Sequence, residues 1–218
     1  MADKGNETNA DLNGIRRRVS KIKYGIVKMR EEALKIVGDE SPAQSFKTAE
    51  ALYKSDTYQV RIVAVFILGF IASKSDKALQ MLRKNVSQDE SWVVQEVLAK
   101  AFNTYCKEIG YENALPVIKS WLKDRNPNVR RAVSEGLRVW SQKDYFKSHP
   151  EVAIGLLSRL KDDESKYVRK SIGNSLRDIS RKERDLVRAE LAKWDRSNPR
   201  IALTYGFVLK RGGYGTSR

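Results

Sequence analysis

The chain repeats itself at intervals of about 35 residues, and this internal repeat restricts the possible folds more than any other feature. Five segments align on an apolar anchor residue, and the successive anchors are 34, 35, 39 and 33 residues apart. The segments are SDTYQVRIVAVFIL, DESWVVQEVLAKAF, DRNPNVRRAVSEGL, DDESKYVRKSIGNSL and DRSNPRIALTYGFVL, with anchors Val60, Val94, Val129, Val168 and Ile201. A repeat of this length indicates stacked units of supersecondary structure.

Each segment has the apolar periodicity of an α-helix. Residues four and eight positions after an anchor share one helix face with it. The +4 residues are Ala64, Leu98, Val133, Ile172 and Tyr205, and the +8 residues are Leu68, Phe102, Leu137, Leu176 and Leu209. Four of the five +5 residues are small, which permits close helix packing; they are Ala99, Ser134, Gly173 and Gly206. The pattern predicts a buried stripe in every repeat.

Flanking residues predict where the helices begin. Pro127, Pro150 and Pro199 occupy positions where a first helical turn would start and the missing N–H costs nothing. An Asp four to six residues before each anchor can cap the following helix or hold the turn; these are Asp56, Asp89, Asp124, Asp163 and Asp195. An amphipathic helix precedes each stripe, most clearly at 112–123 and 150–160.

The segment LPVIKSWLKDRNPNVRRAVSEGLRVW resembles a HEAT repeat. We therefore predict an all-α fold, an α-solenoid (superhelix) of about six HEAT-like helical hairpins with atypical outer units. Residues 1–13 are predicted to be a flexible leader, 14–210 a single HEAT-like repeat domain and 211–218 a flexible basic tail.

Composition excludes several classes of protein. One Cys and one His exclude a Cys-based metal cage and a His-rich metal site. The N-terminal residues lack an apolar signal segment, and the longest apolar stretch, 63–71, is too short for a membrane span. We expect a cytoplasmic monomer that does not bind membranes.

The formal net charge of +15 indicates a polyanionic partner, either nucleic acid or an acidic membrane surface. In a HEAT array the second helix of each hairpin presents its other face to the concave side. A basic concave groove suits the phosphate backbone of duplex DNA. The candidate DNA-binding residues on these faces are Arg131, Arg138, Lys170, Arg177, Lys100, Asn174 and Trp92. The alternative is that these charges are only solvated helix faces.

Other residues in these helices have two interpretations each. The Arg directly after the anchor, in three repeats, is assigned a structural role facing the Asp of the turn; these are Arg61, Arg130 and Arg169. Glu96 and Asp178 are acids in a basic groove, where a carboxylate opposes phosphate binding. Each therefore orients an Arg or takes part in chemistry. Trp140 is either a ligand contact or a core residue.

Three motifs resemble the DNA alkylation-repair superfamily of HEAT-like DNA glycosylases, of the AlkC and AlkD types. They are SWVVQEVLAKAF, NPNVRRAVSEGLRVW and YVRKSIGNSLRDIS, and the resemblance extends from about residue 45 to about 210. VRRAVSEGLR and YVRKSIGNSLRDIS are most similar to the AlkC type, whereas the compact length is more like the AlkD type. Val97 stands where the AlkD type has its catalytic Asp.

The resemblance implies a glycosylase that grips duplex DNA and removes purines alkylated at N3 or N7, with no metal or cofactor. It implies catalytic roles for Glu96, as the AlkC-type glutamate, for Asp178, as the acid of the later motif, and for Trp140, as an aromatic at the lesion. Two alternatives stay open. One is an inactive relative that binds damaged or branched DNA, and the other is a HEAT scaffold for an acidic protein.

Overall fold

The computed structural model describes residues 11–22 and 25–210. Most of the expected leader, 1–10, and the whole expected tail, 211–218, lie outside the described residues. The chain divides into two compact units, Met1–Ile109 and Gly110–Arg218. Within the described residues the structure is helical, with turns between helices and no strand. No helix in this part of the chain is long and apolar enough to cross a membrane.

The first unit contains six α-helices within its described residues. They are α1 (Leu12–Ser20), α2 (Ile26–Asp39), α3 (Pro42–Tyr53), α4 (Tyr58–Ile71), α5 (Asp76–Lys84) and α6 (Trp92–Ile109). Helix α1 begins inside the stretch that the sequence assigns to the leader. Asp11 caps this helix by accepting a hydrogen bond from the N–H of Gly14 at 2.8 Å.

The second unit contains seven α-helices over the part of the chain that is described. They are α7 (Leu115–Trp121), α8 (Pro127–Gly136), α9 (Asp144–Ser148), α10 (Pro150–Ser158), α11 (Lys166–Ile179), α12 (Arg184–Ala192) and α13 (Pro199–Leu209). Pro127, Pro150 and Pro199 each stand in the first turn of a helix, as predicted. Leaving out the short α9, twelve α-helices remain among the described residues, which is the number that the predicted six hairpins require.

The predicted apolar stripe is buried in four of the five repeats. Their anchors and their +4 and +8 residues are each at most 1% exposed. The last repeat differs, because Tyr205 is partly exposed and Leu209 is 57% exposed. The prediction of a buried +8 residue is therefore wrong at Leu209, which ends the final helix and has no following repeat among the described residues to cover it.

Helix α4 is buried on nearly all sides. Helices α1, α2, α3, α5 and α6 all pack against it, and ten of its fourteen residues are buried. A helix that is apolar all round belongs in the interior, which explains the run YQVRIVAVFILGFI. Its +2 and +6 residues, Ile62 and Phe66, therefore contribute to the core and not to a ligand-facing surface.

In four of the five repeats the Asp before the stripe holds the turn and does not cap the helix. The carboxylates of four of these residues accept a hydrogen bond from the N–H two residues later, at 2.8–3.0 Å; they are Asp89, Asp124, Asp163 and Asp195. The cap comes from the following Asn or Ser in three repeats, namely Asn126, Ser165 and Asn198. Of the two predicted roles for the Asp, the turn is the observed one.

The Arg after the anchor links successive repeats. Arg61 donates two hydrogen bonds to the Asp89 carboxylate, at 2.7 and 3.0 Å, and also binds the carbonyls of Ser55 and Asp56. Arg130 and Asp163 repeat this arrangement at 2.6 and 2.8 Å. The structural role predicted for these Arg residues is confirmed, but Arg61 and Arg130 pair with the Asp of the following turn, whereas Arg169 binds the carbonyls of Asp163 and Glu164 in its own turn. The arrangement joins neighbouring hairpins.

Burial and hydrogen bonding set the pKa values of Asp89 and its neighbour Tyr53. Burial by itself raises the pKa of the Asp89 carboxyl, but hydrogen bonds from Arg61, the Ser91 N–H and Tyr53 outweigh it and hold that pKa below its ordinary value. The Tyr53 hydroxyl donates to Asp89 at 3.0 Å, and burial together with this nearby carboxylate raises the pKa of Tyr53. Asp89 is therefore a buried, ionised link.

Small residues let α11 approach its neighbours closely. Ser171 and Ser134 share a hydrogen bond of 2.6 Å between their hydroxyls, and the Ser175 hydroxyl donates to the Ser134 carbonyl at 3.2 Å. At Gly173 a methyl group would collide with Cβ of Phe207 and lie 3.1 Å from the carbonyl oxygen of Thr204. The predicted need for small residues at +5 is confirmed at Ser134 and Gly173.

We expect Gly173→Ala to lower the free energy of unfolding by about 1–3 kcal/mol, because the added methyl group overpacks the contact between α11 and α13. Gly206 is the matched control, since it stands at the same repeat position and has nothing within 4 Å of an added Cβ. Gly206→Ala should raise stability by about 0.5–1 kcal/mol through helix propensity. Urea titration of both variants measures the difference, and equal effects would contradict this account of the packing.

Candidate nucleic-acid interface

Helix α6 has a polar stripe on the face opposite its buried stripe. Trp92, Glu96, Lys100 and Asn103 follow one another at intervals of three or four residues, so they lie along one side of the helix. Trp92 and Lys100 are exposed, whereas Glu96 and Asn103 are partly buried. An aromatic ring, a carboxylate, a cation and an amide therefore follow in order along one helix face.

Trp92 is the most exposed large aromatic residue of this face. Its side chain is 74% exposed in the first turn of α6. An indole with this degree of exposure is unusual, because tryptophan is on average highly buried. Of the sequence-predicted contacts, Trp92 is one that the fold leaves available to a ligand.

The N-terminal part of α11 offers a second exposed surface. Lys170 is exposed, as is Tyr167, which is 76% exposed and lies three residues earlier on the same side of the helix. The sequence analysis missed Tyr167. The available signal was an aromatic residue just before the anchor: Tyr167 directly precedes Val168, and Trp92 lies two residues before Val94.

Arg177 and Asn174 are tied to the protein itself. The Arg177 guanidinium donates to the carbonyl oxygen of Phe207 at 3.0 Å and to the amide oxygen of Asn174 at 2.8 Å. These bonds hold the C-terminal half of α11 against α13. The structure therefore favours a structural role for Arg177 and Asn174 over the DNA contact that the sequence predicts.

Asp178 is buried beside two cations. It is 4% exposed, and its carboxylate lies 3.1 Å from Nε of Arg138 and 3.7 Å from Nη2 of Arg181. Of the two roles that the sequence left open, this geometry favours the orientation of an Arg. Arg138 also lies 3.8 Å from Glu135, so its half-exposed guanidinium is partly neutralised.

Trp140 lies in the core. It is 0% exposed and packs edge-on against Phe146, with ring centroids 4.7 Å apart. Helix α8 ends at Gly136, Val139 has a left-handed φ of 59°, and residues 140–142 form a 3-10 turn that precedes α9. This extra segment accounts for the long spacing of 39 residues between two anchors. As a fully buried residue, Trp140 cannot stack on a nucleotide in this structure.

Arg131 is on α8, where it is partly buried. Arg131 and exposed Lys170 each stand two residues after the anchor of their repeat. Two repeats of the second unit therefore carry a cation at the same position. Glu96 and Trp92 belong to the first unit, and Asp178 and Trp140 belong to the second. Both residues of the second unit that the sequence assigns to catalysis, Asp178 and Trp140, are thus buried.

These features define a HEAT-like helical-repeat protein whose second helices present an aromatic residue, acids and cations. The family model for "DNA alkylation repair enzyme" matches residues 26–208, and the chain belongs to that family. The superfamily named from the sequence motifs is therefore confirmed, and with it the HEAT-like α-solenoid fold class.

Solved structures extend this result. AlkD2 from Streptococcus mutans is 44% identical, with a TM-score of 0.88 over 91% of this chain and 96% of that one. The protein smu.31 from Streptococcus mutans UA159 is 43% identical, with a TM-score of 0.86 over 91% and 98% of the two chains.

More distant relatives are also informative. The Pseudomonas fluorescens alkylpurine DNA glycosylase AlkC, solved with DNA containing an abasic site analog, is 22% identical, with a TM-score of 0.60. The alignment covers 91% of this chain and 61% of that one, and at this identity it shows a shared fold only. The uncharacterized protein YhaZ of Bacillus subtilis (strain 168) is 35% identical over 109 residues. That match spans 46% of this chain and 30% of YhaZ.

Proposed function

We propose that this DNA alkylation-repair protein binds duplex DNA and hydrolyses the N-glycosidic bond of purines alkylated at N3 or N7, with Glu96 as the carboxylate. The observation that carries the proposal is the polar stripe of α6, in which Glu96 lies one turn after exposed Trp92 and one turn before exposed Lys100. Membership of the DNA alkylation-repair family supports a reaction of this class.

A carboxylate suits this reaction for an electrostatic reason. A purine alkylated at N3 or N7 is cationic, so its bond to the sugar is already weak. As the bond breaks, positive charge moves to the sugar, where a carboxylate stabilises it and can position the attacking water. The C–N bond breaks with its electron pair going to the cationic purine, which leaves as a neutral base. Water adds at the sugar carbon and gives its proton to the Glu96 carboxylate, so the proposed step needs no cofactor.

The neighbours of Glu96 have complementary roles in the proposal. The indole of Trp92 stacks on the cationic base, and such a cation–π contact contributes about 0.5–2 kcal/mol. The Lys100 ammonium binds a phosphate beside the lesion, and its positive charge offsets the repulsion between that phosphate and the Glu96 carboxylate. Arg131 and Lys170 bind the phosphate backbone from their own helices.

The decisive experiment measures base release. The purified protein is incubated with duplex DNA that contains N7-methylguanine or N3-methyladenine, and free base is separated and quantified over time. Release above the spontaneous rate supports the proposal. A rate equal to the spontaneous one refutes it.

A second candidate function is recognition of damaged or branched DNA without base release. It is favoured by the burial of Asp178 beside Arg138 and Arg181 and by the burial of Trp140, since both residues were assigned to catalysis by resemblance. Tight binding to branched or methylated duplex with no base release would establish this function in place of the first.

We expect Arg131→Glu combined with Lys170→Glu to weaken binding of duplex DNA about 10- to 100-fold at low salt, because two cations become anions facing phosphates. The slope of log affinity against log salt should also fall by about 2, since each phosphate contact contributes about 0.9. Fluorescence anisotropy with a labelled duplex between 50 and 200 mM salt measures both quantities.

Lys182→Glu is the matched control for DNA binding. Lys182 is exposed in the same unit but outside the second-helix faces, so this variant should keep both the affinity and most of the salt slope. Weak DNA binding that ignores the Arg131 and Lys170 changes would instead support a scaffold for an acidic protein.

A further inference from the structure

The first helices of two hairpins in the second unit enclose a groove with an unusual lining. It has a volume of about 400 Å³ and lies between α7 with the turn after it and α10 with the turn after it. A volume of this size accommodates one or two large side chains or a small ligand. Apart from Arg130 on α8, the groove is lined by first helices and the turns after them, whereas the candidate DNA contacts are on second helices.

The base of the groove is apolar. Leu122 and Leu156 are 5% and 6% exposed, and Leu160 is partly exposed beside them. Leu156 lies near the end of α10 and Leu160 in the turn after it, and both side chains line the groove. The three leucines offer an apolar ligand a continuous surface.

The rim of the groove is cationic. Lys119, Lys123 and Arg159 are all exposed. Among the residues that the structure describes, no acid lines the groove. Within the described residues no ion pair joins any of these three cations to an acid. Arg130 also lines the groove, but its guanidinium is engaged by Asp163 and by two backbone carbonyls. The three remaining cations are available to a partner.

The apolar base and the cationic rim together indicate which kind of ligand the groove can bind. A nucleic acid backbone or an inorganic anion would use the cations but leave the leucines without an apolar partner. A peptide with one large apolar side chain between carboxylates satisfies both parts at once. Two lysines one helical turn apart match two acids of a short segment, and the leucine base accepts the apolar side chain as an anchor.

We propose that this groove is a docking site for an acidic peptide segment of a partner protein, with a Leu or Phe anchor flanked by Asp or Glu. The partner would bind the protein while the second-helix faces remain free for DNA. The proposal does not depend on base release, because none of the groove residues belongs to the proposed glycosylase site.

The test uses a panel of fluorescent decapeptides in which one Leu or Phe lies among three or four Asp or Glu residues. Each is paired with a peptide that has Asn and Gln in place of the acids. Anisotropy should show saturable binding of acidic peptides that weakens at least tenfold in their neutral partners and in Lys119→Glu combined with Lys123→Glu. The two lysines are exposed, so this variant should fold normally, which thermal denaturation verifies.

Two controls separate the groove from the DNA face. Lys119→Glu combined with Lys123→Glu should leave the affinity for duplex DNA within about twofold, whereas Lys170→Glu should reduce DNA binding and leave peptide binding intact. Any of three results would overturn the proposal: no panel member binds, neutral peptides bind as well as acidic ones, or the double lysine variant loses DNA binding and not peptide binding. The last result would instead identify a second DNA-binding surface.

Discussion

Replacing Glu96 by Gln is expected to reduce the rate of base release from methylated duplex DNA at least 100-fold. The amide keeps the shape of the side chain but removes the negative charge that stabilises the developing positive charge on the sugar. Loss of one electrostatic group aimed at a transition state typically costs 100- to 1000-fold, and each tenfold corresponds to about 1.4 kcal/mol of barrier. Single-turnover kinetics with excess protein measures this step without the contribution of product release.

DNA affinity provides the internal control for Glu96→Gln. Removal of an anion from a phosphate-binding face should leave affinity equal or slightly higher, so a loss of activity cannot be assigned to lost binding. Glu108→Gln is the matched variant, since Glu108 is exposed on the same helix but outside the polar stripe. It should retain full activity. An active Glu96→Gln protein would exclude Glu96 as the essential carboxylate.

The fold could be predicted from sequence because its signal is repeated. The apolar stripe recurs in five segments, and in four of them every stripe residue is buried. The failure at Leu209 has a simple cause, which is that burial of a +8 residue needs a following helix to cover it. Helix α4 lacks the solvent-facing side expected of a second helix, because five helices pack around it, and no periodicity within α4 indicates which helices cover it.

The site was harder to predict because its residues depend on contacts between distant parts of the chain. Asp178 lies 40 residues after Arg138, and nothing local to either residue reveals that they meet. The sequence leaves Trp140 as either a ligand contact or a core residue, and no local pattern shows that α8 stops at Gly136 or that Val139 has a left-handed backbone. By contrast, Trp92 and Glu96 depend only on the period of one helix, so their common face was predictable.

Replacing Asp89 by Asn is expected to lower the free energy of unfolding by about 3 kcal/mol or more, because it leaves the Arg61 guanidinium poorly paired in a site where its side chain is only 11% exposed. The amide also supplies one acceptor oxygen in place of two, so the paired hydrogen bonds from Arg61 cannot both persist. Urea titration at pH 7 measures this loss.

The lowered pKa of Asp89 gives the prediction a pH dependence. The unfolded carboxyl binds protons more readily than the folded one, so its contribution to stability is complete above about pH 4 and is lost as the pH falls through the folded pKa. The difference between wild type and Asp89→Asn should therefore be constant near neutral pH and shrink in acid. A difference that grows as the pH falls would contradict the assigned ion pair.

Two further variants isolate the link between repeats from the turn. Asp195 stands at the same repeat position, but its carboxylate is exposed and binds only Ser197 within its own turn, so Asp195→Asn should change stability little. Arg61→Gln combined with Asp89→Asn should be less damaging than Asp89→Asn alone, because it leaves no buried charge without a counterion. The chain already uses Gln at this position in the next repeat, where the Gln95 amide donates to the carbonyls of Val86 and Asp89. If the double variant is no more stable than Asp89→Asn, the cost arises in the turn and not in the ion pair.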